Sequence, residues 1–122
     1  MKFRSKFEKR IWDNLGKKTN KVEYEPQKPV IRYNAPHTYI PDFIIKKNGI
    51  IVEAKGYLRP IDRSKMRLIK RQNSELDIRF LFQDANKRLT KSPNSLMYWQ
   101  WCERHGFPWA EGDNIPEDWF NE

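Results

Sequence analysis

The sequence predicts a small α/β domain, a mixed sheet flanked by helices. Three observations point to it. The hydrophobic period changes along the chain in the order α, β, β–β, α, β, α, the alternation that lays helices onto a sheet. Asn48-Gly49, the strongest short hairpin signal, stands between two β-rich runs. The chain of 122 residues is 14% aromatic, and chains that stay disordered are poor in such side chains, so one packed core is within reach.

The elements follow in order. Ser5-Lys6-Phe7-Glu8 is a capping box, Phe7, Ile11, Trp12 and Leu15 recur at helical spacing, and Gly16 is a stop signal, so the first helix lies between Ser5 and Gly16. Val22 to Glu25 reads as a short strand. Pro26 and Pro29 then hold the chain extended and keep it out of a central strand, and Val30 to Tyr33 reads as a further strand closed by Asn34-Ala35-Pro36. Tyr39–Ile45 and Ile50–Lys55 form the hairpin around Lys46 to Gly49. Ile61 to Gln72 is helical and rich in cations, and Ile78 to Phe82 is a strand with Phe80 and Phe82 on one face. A last helix spans Leu96 to Arg104 and stops at His105-Gly106, and the tail from Phe107 reads as packed irregular chain. The whole is one domain, 1–122, divided into a helix-and-strand segment (1–25), an extended bridge (26–36) and a main body (37–122).

Charge sharpens the picture. Net charge is +8, unevenly spread: residues 1–32 carry ten basic and four acidic side chains, residues 55–91 eleven and four, and residues 102–122 one Arg against six acids. Two basic zones suggest a phosphate-rich partner held on one face, against the simpler reading of a merely soluble basic surface. Apolar runs are far too short for a membrane span, which needs about 20 residues. No secretory leader pattern opens the chain, and the lone Cys102 forms no internal disulfide, so the expected compartment is the cytoplasm. A lone Cys excludes a Cys-based zinc site, and only His37 and His105 could supply imidazoles. His37 reads as a turn residue, His105 as a helix end, and the tryptophans at 99, 101, 109 and 119 as core rather than base-stacking surfaces.

The residues that suggest chemistry are Pro41-Asp42, ten positions, then Glu53-Ala54-Lys55. Side chains alternate along a strand, so Glu53 and Lys55 share a face. A two-residue turn at Asn48-Gly49 sets Asp42 opposite Lys55, and a four-residue loop sets it opposite Glu53. Either register brings the two carboxylates and the ammonium together. The modest interpretation is a cross-strand ion pair of about 0.2–1 kcal/mol. The chemical one is a site for a hard divalent cation, since Mg²⁺ binds through one or two carboxylates plus substrate phosphate, with the Ala54 carbonyl as a further ligand and Lys55 stabilising charge on a phosphoryl group. Glu8 lies on the apolar face of the first helix, where an acid needs a partner; it serves either as the third residue of the capping box or as a carboxylate for a second metal.

His37-Thr38-Tyr39-Ile40-Pro41-Asp42-Phe43 and Asn48 through Gly56 resemble the phage endonuclease I family, Holliday-junction resolvases with the PD-(D/E)xK restriction-endonuclease-like core. The likeness extends to Glu23-Tyr24-Glu25, Glu75 to Arg79, Cys102 to Gly106 and Ile115 to Trp119, and so covers nearly the whole chain. The resemblance implies a Mg²⁺-dependent, structure-selective endonuclease for branched double-stranded DNA, with two ions per site, Mn²⁺ as a substitute, and no small-molecule cofactor. By position, Asp42 and Glu53 match the metal ligands, Ala54 the carbonyl donor, Lys55 the catalytic lysine, Glu8 the helix glutamate and Glu23 a further acidic active-site position. Family members are domain-swapped homodimers, and residues 26–36 stand where the connecting bridge falls. Lys9, Arg10, Arg59, Arg63, Lys65, Arg67, Lys70 and Arg71 are the candidate DNA contacts. The departures are a short segment before the first helix and an acidic end where family members carry lysines. Another nuclease of the same superfamily, acting on transposon ends or restriction-like, and a non-catalytic basic DNA-binding module are the alternatives.

Overall fold

The computed structural model describes residues 2–26, 31–33 and 37–122, and most of the expected bridge, 27–30 and 34–36, lies outside them. Helix α1 spans Lys6–Leu15 and begins where Ser5 Oγ accepts the Glu8 amide at 3.1 Å. A 3₁₀ stretch, Gly16–Lys21, leads into strand β1, Val22–Tyr24. Strands β2 (Ile31–Arg32) and β3 (Thr38–Tyr39) form a separate antiparallel ribbon. Then come β4 (Phe43–Ile45), β5 (Ile51–Lys55), helix α2 (Pro60–Gln72) and β6 (Ile78–Phe82). Helix α3 (Tyr98–His105), β7 (Trp109–Glu111) and the short helix α4 (Glu117–Phe120) complete the chain.

Five strands make one mixed sheet in the order β1-β4-β5-β6-β7. The β1–β4 and β4–β5 pairs are antiparallel, and β5–β6 and β6–β7 are parallel, joined through α2 and α3. Helices cover both faces. On one face Met66, Ile69, Tyr98 and Trp101 pack on Ile51, Ile78, Phe80 and Phe82; on the other, Phe7, Ile11, Leu15, Trp119 and Phe120 pack on Phe43, Val52, Ala54 and Leu81. All five residues of β6 are buried, as a central parallel strand requires. Truncating Phe80, which meets Phe107 and Trp101 edge to face, removes enough buried ring to cost about 3–5 kcal/mol.

Two expectations are corrected. Tyr39 to Ile45 is not one strand: Pro41 supplies no ladder donor, the chain breaks at Ile40 to Asp42, and the halves join different sheets. The tail is not irregular either. Phe80, Leu81 and Phe82 offer an edge that Trp109, Ala110 and Glu111 complete, and α4 buries Trp119 and Phe120. Elements of three and four residues are too short to declare a period, so tertiary pairing decides them. Of Val30 to Tyr33, only Ile31–Arg32 is a described strand. Among the described residues no helix is long and apolar enough to cross a membrane.

Candidate metal and catalytic centre

The hairpin register is decided by its loop. Phe43 stands opposite Val52 and Ile44 opposite Ile51, and the Ile45 amide donates to the Ile50 carbonyl at 2.9 Å. Four residues, Lys46 to Gly49, therefore make the turn, with Gly49 at φ 75°, a conformation an L side chain resists. Of the two registers open to the sequence, this is the one that sets Asp42 across from Glu53.

The break at Pro41 leaves the Asp42 amide unpaired in the ladder, and Glu53 takes it: the amide donates to Glu53 Oε1 at 3.1 Å. In return Asp42 Oδ2 accepts the Ala54 amide at 2.9 Å. The Tyr39 hydroxyl donates to the same Glu53 Oε1. The other Glu53 oxygen faces Lys55 Nζ at 4.0 Å, and Lys55 Nζ stands 3.7 Å from Asp62 Oδ1.

Glu8 reaches this point from α1. Its amide is capped by Ser5, while its carboxylate accepts the Tyr24 hydroxyl at 2.7 Å and the Ser5 hydroxyl at 3.1 Å. The Glu8 carboxylate thus bonds the Ser5 and Tyr24 hydroxyls, whereas a reciprocal capping box would use the Ser5 amide. Glu8, Glu25 and Asp42 each present a carboxylate oxygen within 4.8 Å of the others. Glu25 sits at φ 44°, its amide donates to the Asp42 carbonyl at 2.8 Å, and its Oε1 lies 2.6 Å from Arg4 Nε. Glu23, by contrast, is exposed on β1 opposite Ile44 and outside this cluster. Glu25 escaped the sequence reading: it follows β1 in a left-handed conformation, so strand alternation does not place it with Asp42. Tyr39 and Asp62 also went unassigned.

Electrostatics mark the site as short of positive charge. Burial lifts the Asp42 carboxyl well above its ordinary range, and Glu53 and Glu8 lift it further, against the Ala54 amide and Lys55. Burial raises Glu53 as well, opposed by Lys55 and by its hydrogen bonds from Tyr39 and Asp42. Tyr39 is raised by burial and by Glu53. For Asp62 burial acts upward, but the Arg59 hydrogen bonds and the Lys55 charge outweigh it and hold the carboxyl low. Buried acids gathered this closely fit a hard divalent cation, whose charge would relieve their repulsion.

Beside the cluster a groove of about 790 Å³ opens between α1 and α2, lined by Ser5, Arg10, Lys55, Tyr57, Arg59 and Asp62 among others. Of the basic candidates, Arg10 and Arg59 border this groove, and exposed Lys9 pairs with Asp13 at 2.7 Å. Along α2, Arg67 and Arg71 are exposed. Arg63 donates to the Leu58 carbonyl at 2.9 Å, Lys70 to the Gly106 carbonyl at 2.9 Å, and Lys65 lies over the Tyr39 ring. Elsewhere, Cys102 is fully buried with its thiol pushed up by burial, Trp101 and Trp119 are core, and exposed His37 stacks on Tyr33.

Across residues 1–122 the sequence matches the family described as Phage endonuclease I. It is 43% identical over 122 residues to Endonuclease I of Escherichia phage T7, covering 98% of this chain and 79% of that protein. It is 40% identical over 111 residues to Endodeoxyribonuclease 1 of Enterobacteria phage T3, covering 89% of this chain and 71% of that one.

Proposed function

The chain belongs to the phage endonuclease I family, and we propose that it is a metal-dependent endodeoxyribonuclease that cuts branched DNA, Holliday junctions included. One observation carries the reading: Glu8, Glu25 and Asp42 converge within 4.8 Å next to a Glu53–Lys55 pair and a groove edged by cations. Such a site suits hydrolysis of a phosphodiester. The five-stranded mixed sheet with helices on both faces supports a PD-(D/E)xK core.

In this reading Asp42, Glu53, Glu8 and the Ala54 carbonyl hold Mg²⁺, two ions per site with Mn²⁺ able to substitute, and Glu25 joins them; Glu23 is assigned no more than an outer acidic role. Bound there, the metal supplies Lewis-acid stabilisation of phosphoryl charge and an acidified water. The protein's own groups do the rest. Asp42 and Glu53, locked together across the hairpin, hold the ligand oxygens in place. Lys55 presents its ammonium to the scissile phosphate, where it opposes the charge that develops there. The ends left are 5′-phosphate and 3′-hydroxyl. Phosphates on either side meet Lys9, Arg10, Arg59, Arg63, Lys65, Arg67, Lys70 and Arg71, and these contacts position the DNA without reading its sequence.

Selectivity for branched DNA comes from a homodimer that exchanges residues 1–25 through the bridge 26–36, with 37–122 as the main catalytic body. Glu8 lies beside Asp42 in the chain described here, and exchange rebuilds that contact between two chains. The working compartment is the cytoplasm of the host cell. The test is cleavage of an end-labelled four-way junction and of a duplex of the same sequence, in Mg²⁺ and in EDTA. The junction is expected to be cut in Mg²⁺ alone and in preference to the duplex. Equal cutting of both substrates points to a different nuclease of the superfamily, and binding without cutting points to a non-catalytic module.

A further inference from the structure

Lys55 is suspended between two carboxylates, and only one of them belongs to the acidic motif. Glu53 Oε2 lies at 4.0 Å and Asp62 Oδ1 at 3.7 Å, both beyond hydrogen-bond distance. The ammonium is therefore held by attraction while its protons stay available to another acceptor. Asp62 is buried, an uncommon place for an aspartate without a fixed task. Arg59 engages both of its oxygens, and one of them also serves Lys55. Oδ2 accepts the Arg59 amide at 3.1 Å and Arg59 Nε at 3.2 Å, closing the first turn of α2. Oδ1 accepts Arg59 Nη2 at 3.4 Å and also faces Lys55 Nζ at 3.7 Å. A cap needs only one of those oxygens. The same side chain thus ties the start of α2 to the tip of the Lys55 side chain, at the wall of the groove that both residues line.

From this arrangement we infer that Asp62 is a positioning residue of the nuclease: it aims the Lys55 ammonium into the groove and anchors it to the N-terminal turn of α2. The inference rests on the proposed phosphodiesterase role of Lys55 and deepens it. Without Asp62 the long Lys55 side chain is drawn by Glu53 and Asp42, and it relaxes toward these acids instead of toward the phosphate. Asp62 does not touch the substrate, so its loss should appear in the cleavage step and leave the binding step intact.

The experiment compares wild type, Asp62→Asn and Asp62→Glu. Asparagine keeps an oxygen for the Arg59 amide and removes the negative charge facing Lys55. Glutamate keeps both the charge and the capping chemistry. Single-turnover cleavage of a labelled four-way junction in Mg²⁺, at saturating protein, isolates the chemical step; junction affinity in EDTA and thermal melting accompany it. Asp62→Asn should cut about tenfold to hundredfold more slowly, the scale of a misplaced catalytic group, with unchanged or tighter junction binding and a melt that stays cooperative though lowered by the lost Arg59 and Lys55 attraction. Asp62→Glu should recover most of the rate. Wild-type cutting by Asp62→Asn overturns the inference, because it leaves Asp62 as a cap alone; Asp62→Glu cutting as slowly as Asp62→Asn overturns it too, because the charge facing Lys55 then does not set the rate. Failure of the wild-type protein to cut any DNA overturns the nuclease reading itself and takes this inference with it.

Discussion

Asp42 holds a charge the fold does not favour. Burial first, then Glu53 and Glu8, raise its carboxyl well above the ordinary range, so the folded chain binds that proton more tightly than the unfolded chain does. Its contribution therefore favours folding below the ordinary carboxylate pKa and is lost as pH rises through the raised value. In metal-free buffer at neutral pH, Asp42→Asn keeps an acceptor for the Ala54 amide and should be more stable than wild type. The difference should close as pH falls toward about 4, where the unfolded carboxylate also protonates. Melting both proteins in EDTA across that range checks it; a difference that ignores pH, or a more stable wild type at neutral pH, contradicts the assignment. At this scale the sequence was informative wherever strand alternation acts alone, as it does for Glu53 and Lys55. It was silent on Glu25, whose left-handed backbone turns it toward Asp42, and on Asp62, which meets Lys55 only because α2 starts where the groove closes.

Among the elements, the basic helix α2 carries some cations with partners among the described residues and others that stand exposed. Arg63 and Lys70 each commit one donor to a carbonyl, of Leu58 and Gly106, and Lys70 also covers the Phe107 ring. Arg67 and Arg71 are exposed. Each of these two, replaced by Ala, should weaken binding equally on all DNA shapes and lower the salt-dependence slope by about one unit per lost phosphate contact. Titrations of a junction and a duplex at several salt concentrations measure this; slopes unchanged in both variants would place the DNA away from α2. The elements legible in advance were α1, β1, α2, β6, α3 (which begins later than expected) and the hairpin, whose two possible registers both followed from its alternation. Strand β7 and helix α4 exist because β6 offers an open edge and the α1 face leaves room for Trp119 and Phe120, information that lies in the fold and not in the tail's own pattern.

For the whole molecule, the acidic C-terminal end explains itself once packed. Glu117 pairs with Lys18, Asp113 with Arg10 at 3.8 Å, and Glu122 with the buried Arg79 at 2.6 Å, so the end neutralises cations of its own chain. The uneven charge of the sequence is in this way partly settled within the fold, while the α2 side keeps exposed arginines for an outside partner. The central claim is that Asp42 belongs to a centre that cuts DNA and is not needed to hold it. The direct measurement uses wild type, Asp42→Asn and Lys55→Ala on one labelled four-way junction, with binding followed in EDTA and cleavage followed after Mg²⁺ is added. Both variants should bind within about threefold of wild type, since phosphate contacts supply the affinity, and neither should cut. Cleavage by Asp42→Asn at a rate near wild type would contradict the account.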